Sequence, residues 1–456
     1  MPVPTLATDL YQLTMMAGYF QTGRHVLPAT FELFTRRLPH NRNCLVFAGL
    51  EQVLEYLAEL EFTPAELEWL TAQPVFAGIV PEFFEFLRTF RFAGDVWAME
   101  EGTPFLPHEP VVRITAPLAQ AQLVETAVLA IVNFQTTIAS KAVRLVQAAG
   151  GRPVMEFGAR RAHGIEAALY AARAAYLAGC AATSFVEAGK RFGIPLSGTM
   201  AHSWILAADN ERQAFTDFAA LFPSDTVLLL DTYDVAGAVD ALVAAGLQPA
   251  GVRLDSGDLQ LHARSVRHSL DGAGLSATRI IVSGDLDEWK VRDLVAAGAP
   301  IDAYAVGTAL TTSDDAPALG GVYKLVEIAG PNGVRQVLKR SAGKRTQPGA
   351  KQVWRIIEDG VASRDIVSLI GELPPVGGTP LLQRVMRSGV RLAKPAALPG
   401  LRSRCAELIA VMPGWMTGVE PNVDYAVEFS TGLQAYAPDA ASARPPMTSA
   451  SIAPAP

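Results

Sequence analysis

Apolar positions in the first third of the chain recur mostly at helical spacing. AGLEQVLEYLAEL, from Ala48 to Leu60, carries one apolar stripe. TPAELEWL predicts a second helix, with Thr63 as N-cap and Glu66 completing a capping box. The pattern changes in DVWAMEEGTPFLPHEPVVRITAP, Asp95 to Pro117, where alternation punctuated by Gly102, Pro104 and Pro107 predicts short antiparallel strands. The longest apolar-looking region, Leu118 to Phe134, is interrupted by Gln120, Gln122, Glu125 and Asn133. It predicts an amphipathic or buried helix rather than a membrane span.

From about Arg152 the pattern repeats. PVMEF ends at FGARRAHG, TVLLLD at TYD, AGVRLD at SGD, RIIVSG at DLDE, and DAYAVG at TAL, with helix-like pieces such as VAGAVDALVAAG and EWKVRDLVAAG between them. The run ends Asp231, Asp255, Gly284 and Gly307 lie 24, 29 and 23 residues apart, the step of a strand–loop–helix unit. Such apolar strands need cover on both faces, and no GxGxxG follows the first of them. The expectation is an α/β chain built on an irregular parallel α/β barrel with a second α/β domain. The units are 1–130, completed by 335–435, then a barrel over 131–334. The basic segment VLKRSAGKRTQPGAKQVWR predicts a solvated hairpin, and the Ala-, Pro- and Ser-rich stretch 436–456 a disordered tail.

Composition narrows the partners. Half of the 456 residues are hydrophobic and 18% are charged, enough for a large core. A formal charge of -7 argues against nucleic-acid binding, which calls for clustered Lys and Arg. Cys44, Cys180 and Cys405 form no short-range pair, as suits a reducing cytosol, and MPVPTLATDLYQ has no signal-peptide pattern. A cytoplasmic protein with no membrane partner is expected.

In a parallel barrel, chemistry gathers where strands end. GVRLDSGDL places Arg253, Asp255 and Asp258 around a glycine turn, where a carboxylate pair could hold magnesium or accept bonds from sugar hydroxyls. Asp258 could equally cap the next helix. Ser283–Gly284 and Gly307–Thr308 each put small residues ahead of a predicted helix, a pattern suited to a phosphate cradle. FGARRAHG offers adjacent arginines for carboxylate or phosphate, one of which could be plain surface, and His163 is read as a bystander. A lone histidine such as His202 is, without context, more often structural than reactive. Walker A, HExxH and GxSxG patterns are missing from the sequence, so the chemistries they mark lack their signals.

In order, TDLYQLTM, EFGARRAHG, GTMAHSW, DTYD, GVRLDSGDL, SGDLDE, VGTAL and GGVYKLVE resemble the nicotinate phosphoribosyltransferase family. The resemblance runs from Thr8 to about Glu327. It implies formation of nicotinate mononucleotide and pyrophosphate from nicotinate and phosphoribosyl pyrophosphate, with Mg2+, as the first step of NAD salvage from nicotinate. It also implies coupling to ATP hydrolysis through a phosphohistidine, and a homodimer with the site near the subunit interface. His202 matches the phosphorylated histidine, and Tyr11 matches a tyrosine that stacks on the pyridine ring. Asp231 and Asp255 then become the catalytic carboxylates, with Asp255 also a candidate magnesium ligand. Arg160 and Arg253 share the nicotinate carboxylate and the diphosphate. Thr183 and Ser184 fall where a sister enzyme using nicotinamide carries an acidic residue. DTYD is only superficially similar to the acidic loop of another phosphoribosyltransferase class, since it lacks the adjacent acids and the threonine–glycine pair. The competing readings are nicotinamide phosphoribosyltransferase, the much shorter quinolinate enzyme, and a catalytically silent barrel acting as a metabolite sensor. The last would have lost His202, Asp255 or the phosphate turns, which are all present.

Overall fold

The computed structural model describes residues 3–339, 346–422 and 424–435. The expected tail, 436–456, and residues 340–345 of the basic segment lie outside the described residues.

Local signals in the first third translate directly. Leu50–Glu59 is a helix with its apolar stripe buried. Pro64–Thr71 is another, closed by the reciprocal Thr63–Glu66 box: the Glu66 N–H donates to Thr63 Oγ1 at 3.3 Å and the Thr63 N–H to Glu66 Oε2 at 2.8 Å. Asp95–Ala98 and Val112–Pro117 pair antiparallel and join a seven-stranded antiparallel sheet. The apolar region after Pro117 splits into Leu118–Leu123 and the long helix Glu125–Ala148. That helix is long and apolar enough to cross a membrane, yet it is the buried spine between the two main hydrophobic cores.

Two corrections concern the later chain. Gly321–Gly330, expected within the barrel unit, pairs along Pro28–Thr35 in the antiparallel sheet. Its residues are mostly half-buried, with only Tyr323 and Val326 fully buried, unlike the continuous buried runs of the barrel strands. In the basic segment, Lys351 and Arg355 are not solvated. They lie on the strand Lys351–Glu358 and are buried because Glu32 and Asp365 neutralise them, at 2.7 and 2.6 Å. The helix Leu398–Ala410 also returns to the barrel core through Leu398, Leu401 and Cys405.

The parallel unit has six strands, in the spatial order Ala182–Thr183, Val154–Glu156, Ala303–Val306, Arg279–Val282, Gly251–Leu254 and Val227–Leu229. It curls but does not close: the two outer strands are not paired with each other. Pro195–Ser197 runs beside the first of them through two backbone hydrogen bonds to Thr183. Inside the curl, Met155, Ala182, Val227, Ile281, Ala303 and Ala305 form their own small apolar plug. Helices cover the outer face, as doubly buried strands require. All three cysteines are buried free thiols.

A buried ionic cluster ties this unit to the rest. Lys141, fully buried on the spine helix, reaches Glu288 at 2.6 Å and Asp315 at 2.9 Å. Arg144 also reaches Glu288, at 3.0 Å, and Arg42 reaches Asp315, at 2.7 Å. Glu288 and Asp315 follow two loops at the strand ends, so the cluster fixes those loops from behind.

Candidate active site

Two hollows dominate the surface. The larger, about 780 Å³, is an apolar cleft between the N-terminal segment and the helix Ile165–Leu177. His163 lies on it, as do Thr8 and Asp9, but none of the expected catalytic groups does. The smaller, about 530 Å³, opens at the C-terminal ends of the parallel strands. It gathers Arg160, Ser184, Arg253, Asp255, Ser283, Gly284, Gly307 and Thr308, with Arg161, the second arginine of FGARRAHG, and the unforeseen Phe157, Thr199 and Asp285. Polar chemistry at strand ends, not size, marks it as the site.

Arg253 and Asp255 protrude together where Gly251–Leu254 ends. Arg253 Nη2 donates to Asp255 Oδ1 at 2.7 Å and its Nε to Ser283 Oγ at 2.8 Å. Its Nη1 donates to Thr199 Oγ1 at 3.0 Å and to the Met200 carbonyl at 3.4 Å. Arg253 is therefore occupied as a brace, rather than free to capture an anion. The Ser283 hydroxyl also donates to Asp255 Oδ1, so it too is spoken for. Burial alone would raise the Asp255 pKa. The hydrogen bonds from Ser283 and Arg253, with the Arg253 and His202 charges, outweigh it and hold the carboxyl below its ordinary value.

Asp231 stands one strand over. Its Oδ2 accepts from the Asp255 N–H at 3.1 Å and from Ser256 Oγ at 2.5 Å. Its Oδ1 is buried with no hydrogen-bond partner among the described residues. Asp231 thus supports Asp255 from behind and is not on the cavity wall. Asp258 caps the helix Leu259–Gly272 by accepting from the Leu261 N–H, so the capping alternative holds for it.

His202 opens a five-residue helix at the cavity edge, its side chain 40% exposed. Nδ1 lies 3.1 Å from Thr232 Oγ1 and Nε2 3.8 Å from Asp255 Oδ2. The imidazole is open enough to receive a group and already adjoins the central carboxylate.

The two phosphate turns differ from each other. Gly307 N-caps the helix Thr308–Thr312, as expected. Ser283–Gly284, however, does not start a helix: the next one begins at Glu288, and Asp287 caps it by accepting from the Lys290 N–H. Gly284 is needed for another reason. Its φ is +93°, and a Cβ there would fall on the Asp255 carbonyl oxygen. The turn therefore passes close over the carboxylate strand end and lines the cavity with backbone.

Arg160 and Arg161 sit on a short 3-10 turn, both exposed to the cavity, and neither forms an ion pair among the described residues. Thr183 is the main displacement from expectation. It is fully buried beneath the cavity and donates to Glu156 Oε2 at 2.6 Å, while Ser184 faces outward. Tyr11 lies on Leu10–Gln21, 49% exposed, and does not line the cavity of its own chain.

Comparison with known proteins now decides the family. Residues 6–133 match the model of the nicotinate phosphoribosyltransferase (NAPRTase) N-terminal domain. The chain is 44% identical over 425 residues to nicotinate phosphoribosyltransferase pncB2 of Mycobacterium tuberculosis, covering 92% of this chain and 89% of that one. This chain belongs to the nicotinate phosphoribosyltransferase family. The Bacillus subtilis nicotinate phosphoribosyltransferase is 45% identical over 362 residues, covering 77% of this chain and 73% of that one. The structure of human nicotinic acid phosphoribosyltransferase superposes with a TM-score of 0.82 at 28% identity, covering 94% of this chain and 99% of that one. The family's fold thus includes the open parallel sheet and the antiparallel unit together.

Proposed function

We propose that this chain joins nicotinate to the ribosyl carbon of phosphoribosyl pyrophosphate and couples the transfer to ATP hydrolysis through His202. The observation that carries the reading is the convergence of Arg160, Arg161, Asp255, and the Gly284 and Gly307 turns on one cavity, with His202 at its edge. The pyridine nitrogen donates its electron pair to the ribose C1. The bond from that carbon to the pyrophosphate oxygen breaks, and pyrophosphate leaves with those electrons. Positive charge grows on the sugar and negative charge on the leaving group. Asp255, held ionised by Ser283 and Arg253, faces the first, and Arg160 and Arg161 face anionic groups. Ser184 lies with them on the wall available to the nicotinate carboxylate, and backbone at Gly284, Gly307 and Thr308 is available to the 5-phosphate.

Asp255 would hold Mg2+ through Oδ2, which accepts no hydrogen bond among the described residues. No group of three or more His, Cys, Asp and Glu is assembled among the described residues, which fits an ion that takes most ligands from substrate and water. When bound, magnesium would neutralise charge on the departing pyrophosphate.

Transfer of a phosphoryl group from ATP to His202 forms an N–P bond and releases ADP; its hydrolysis returns the imidazole and phosphate. The added charge beside Asp255 changes affinity for the diphosphate between the two halves of the cycle. In a homodimer, Tyr11, exposed on its own protomer, would stack on the pyridine ring in the other protomer's cavity.

The test combines purified protein with nicotinate, phosphoribosyl pyrophosphate, magnesium and terminally labelled ATP, with nicotinamide in a parallel reaction. Nicotinate mononucleotide should form, and label should appear on the protein. No product from nicotinate would overturn the activity, and preference for nicotinamide would shift it to the sister reaction. Labelling and ATP stimulation that survive His202→Ala would overturn the coupling assignment.

A further inference from the structure

Glu156 is a buried carboxylate that the reaction does not use directly. It ends the strand Val154–Glu156 and is 1% exposed, beneath the cavity floor. Its oxygens hold three separate segments. Oε1 accepts from the Gly158 N–H at 2.5 Å and from Thr311 Oγ1 at 3.1 Å, and Oε2 accepts from Thr183 Oγ1 at 2.6 Å. Each partner belongs to a different piece of cavity wall. Gly158 begins the turn that carries Arg160 and Arg161; Thr183 precedes Ser184; Thr311 lies on the short helix opened by Gly307 and Thr308.

The packing around these bonds leaves no slack. A Cβ at Gly158 would fall on Thr311 Oγ1, so the arginine turn and the Gly307 helix touch through a position without a side chain. Thr183 Oγ1 also accepts from the Phe185 N–H at 3.0 Å, which leaves its proton for Glu156 and fixes the hydroxyl's orientation. The Glu156 backbone carbonyl accepts from the Ser184 N–H at 3.0 Å, adding a fourth bond to the same junction. Burial raises the Glu156 pKa, and the three donors oppose that rise. Among the described residues no cation pairs with it. A charge-bearing group buried without a cation has to be held by all its donors together.

We infer that Glu156 is a positioning residue for anion recognition: one buried carboxylate sets the relative placement of the Arg160–Arg161 turn, Ser184 and the Gly307–Thr308 turn. The inference rests on the proposed use of that cavity for phosphoribosyl pyrophosphate and nicotinate. Glu156 touches neither substrate. It acts by keeping three separately connected segments at the spacing of a ligand whose charges lie far apart, so its loss should weaken binding more than the bond-breaking step.

Glu156→Gln tests this with little change of shape. The amide can offer its oxygen to Gly158 and Thr311, but its NH2 then faces a Thr183 hydroxyl whose proton has lost its acceptor. For the Gln variant, KM for phosphoribosyl pyrophosphate should rise about tenfold or more, with kcat at saturation within about threefold of the parent. Thr311→Val should give a smaller rise, and the double variant should fall short of the product of the two effects, since both remove the same link. Glu156→Asp, which keeps the charge on a shorter stem, should recover part of the affinity. Direct titration with phosphoribosyl pyrophosphate alone separates the possible failures. If the parent protein does not bind it, the functional reading fails. If parent and Gln variant bind it equally, the positioning role fails while that reading stands. A lower kcat with unchanged KM and a lower Tm would also overturn the role, because it would mark Glu156 as a determinant of stability alone.

Discussion

Arg253 donates to Asp255 Oδ1 at 2.7 Å from two residues away on the same strand end, and the same guanidinium reaches Thr199 and the Met200 carbonyl. One side chain therefore sets both the orientation of the central carboxylate and the approach of the segment that carries His202.

Arg253→Lys should expose this double task. An ammonium cannot reproduce a planar fork with contacts in three directions. Steady-state kinetics should show kcat falling by about a hundredfold, with KM for phosphoribosyl pyrophosphate changing much less, because a small misplacement of a reacting group is costly. A large rise in KM with kcat preserved would instead mark Arg253 as a direct anion ligand.

Gly284→Ala adds only a methyl group, but at φ +93° and on top of the Asp255 carbonyl. Left-handed backbone costs a non-glycine residue roughly 1–2 kcal/mol, and the collision adds to it. Tm should drop by several degrees, and kcat/KM should fall by more than about tenfold as the Asp255 strand end is displaced. Thermal melts and kinetics on one preparation would check both.

Glu211, the first residue of the helix Glu211–Leu221, has its carboxyl pushed up to about 7, first by burial and then by the nearby Asp234. Its acid form is thus favoured in the folded chain relative to the unfolded one. Between the ordinary carboxylate value and about 7 the folded state binds more protons, so Glu211's contribution to stability falls as pH rises through that window. Denaturant melts across that range should show the decline, and Glu211→Gln should flatten it.

Burial pushes the thiols of Cys44, Cys180 and Cys405 up to about 12. Thiolate is the reactive form, so a thiol reagent at neutral pH should label the folded protein slowly and the denatured protein rapidly at all three positions. Rapid labelling of any one in the folded state would contradict its burial.

Whatever depends on near neighbours was legible before the structure. The Thr63–Glu66 box needs only residues three apart, and the apolar runs ending at Asp231, Asp255, Gly284 and Gly307 announced parallel strands by their period. Partner choice across the fold was not legible. GVRLD does not reveal that Arg253 spends its donors on Ser283, Thr199 and Met200, nor does AATS reveal that Thr183 points down to Glu156 while Ser184 points out. Alternation on a strand would have separated Thr183 from Ser184, but not named the carboxylate below. Glu156 itself had a faint signal: a charged residue closing an otherwise apolar run must find several donors once buried. SGDLDE misled because Asp287, not Gly284, stands directly ahead of the helix.

The parallel sheet leaves a seam between Leu196, beside Thr183, and the outer strand Val227–Leu229. Among the described residues no backbone hydrogen bond crosses it there; the bridges are side-chain contacts, from Arg253 to Thr199 and Met200 and between His202 and Thr232. A closed barrel has a fixed girth, because widening it means breaking a ladder of main-chain bonds. Here no such ladder spans the seam, and one of the side chains that reach across it is the imidazole at the cavity edge.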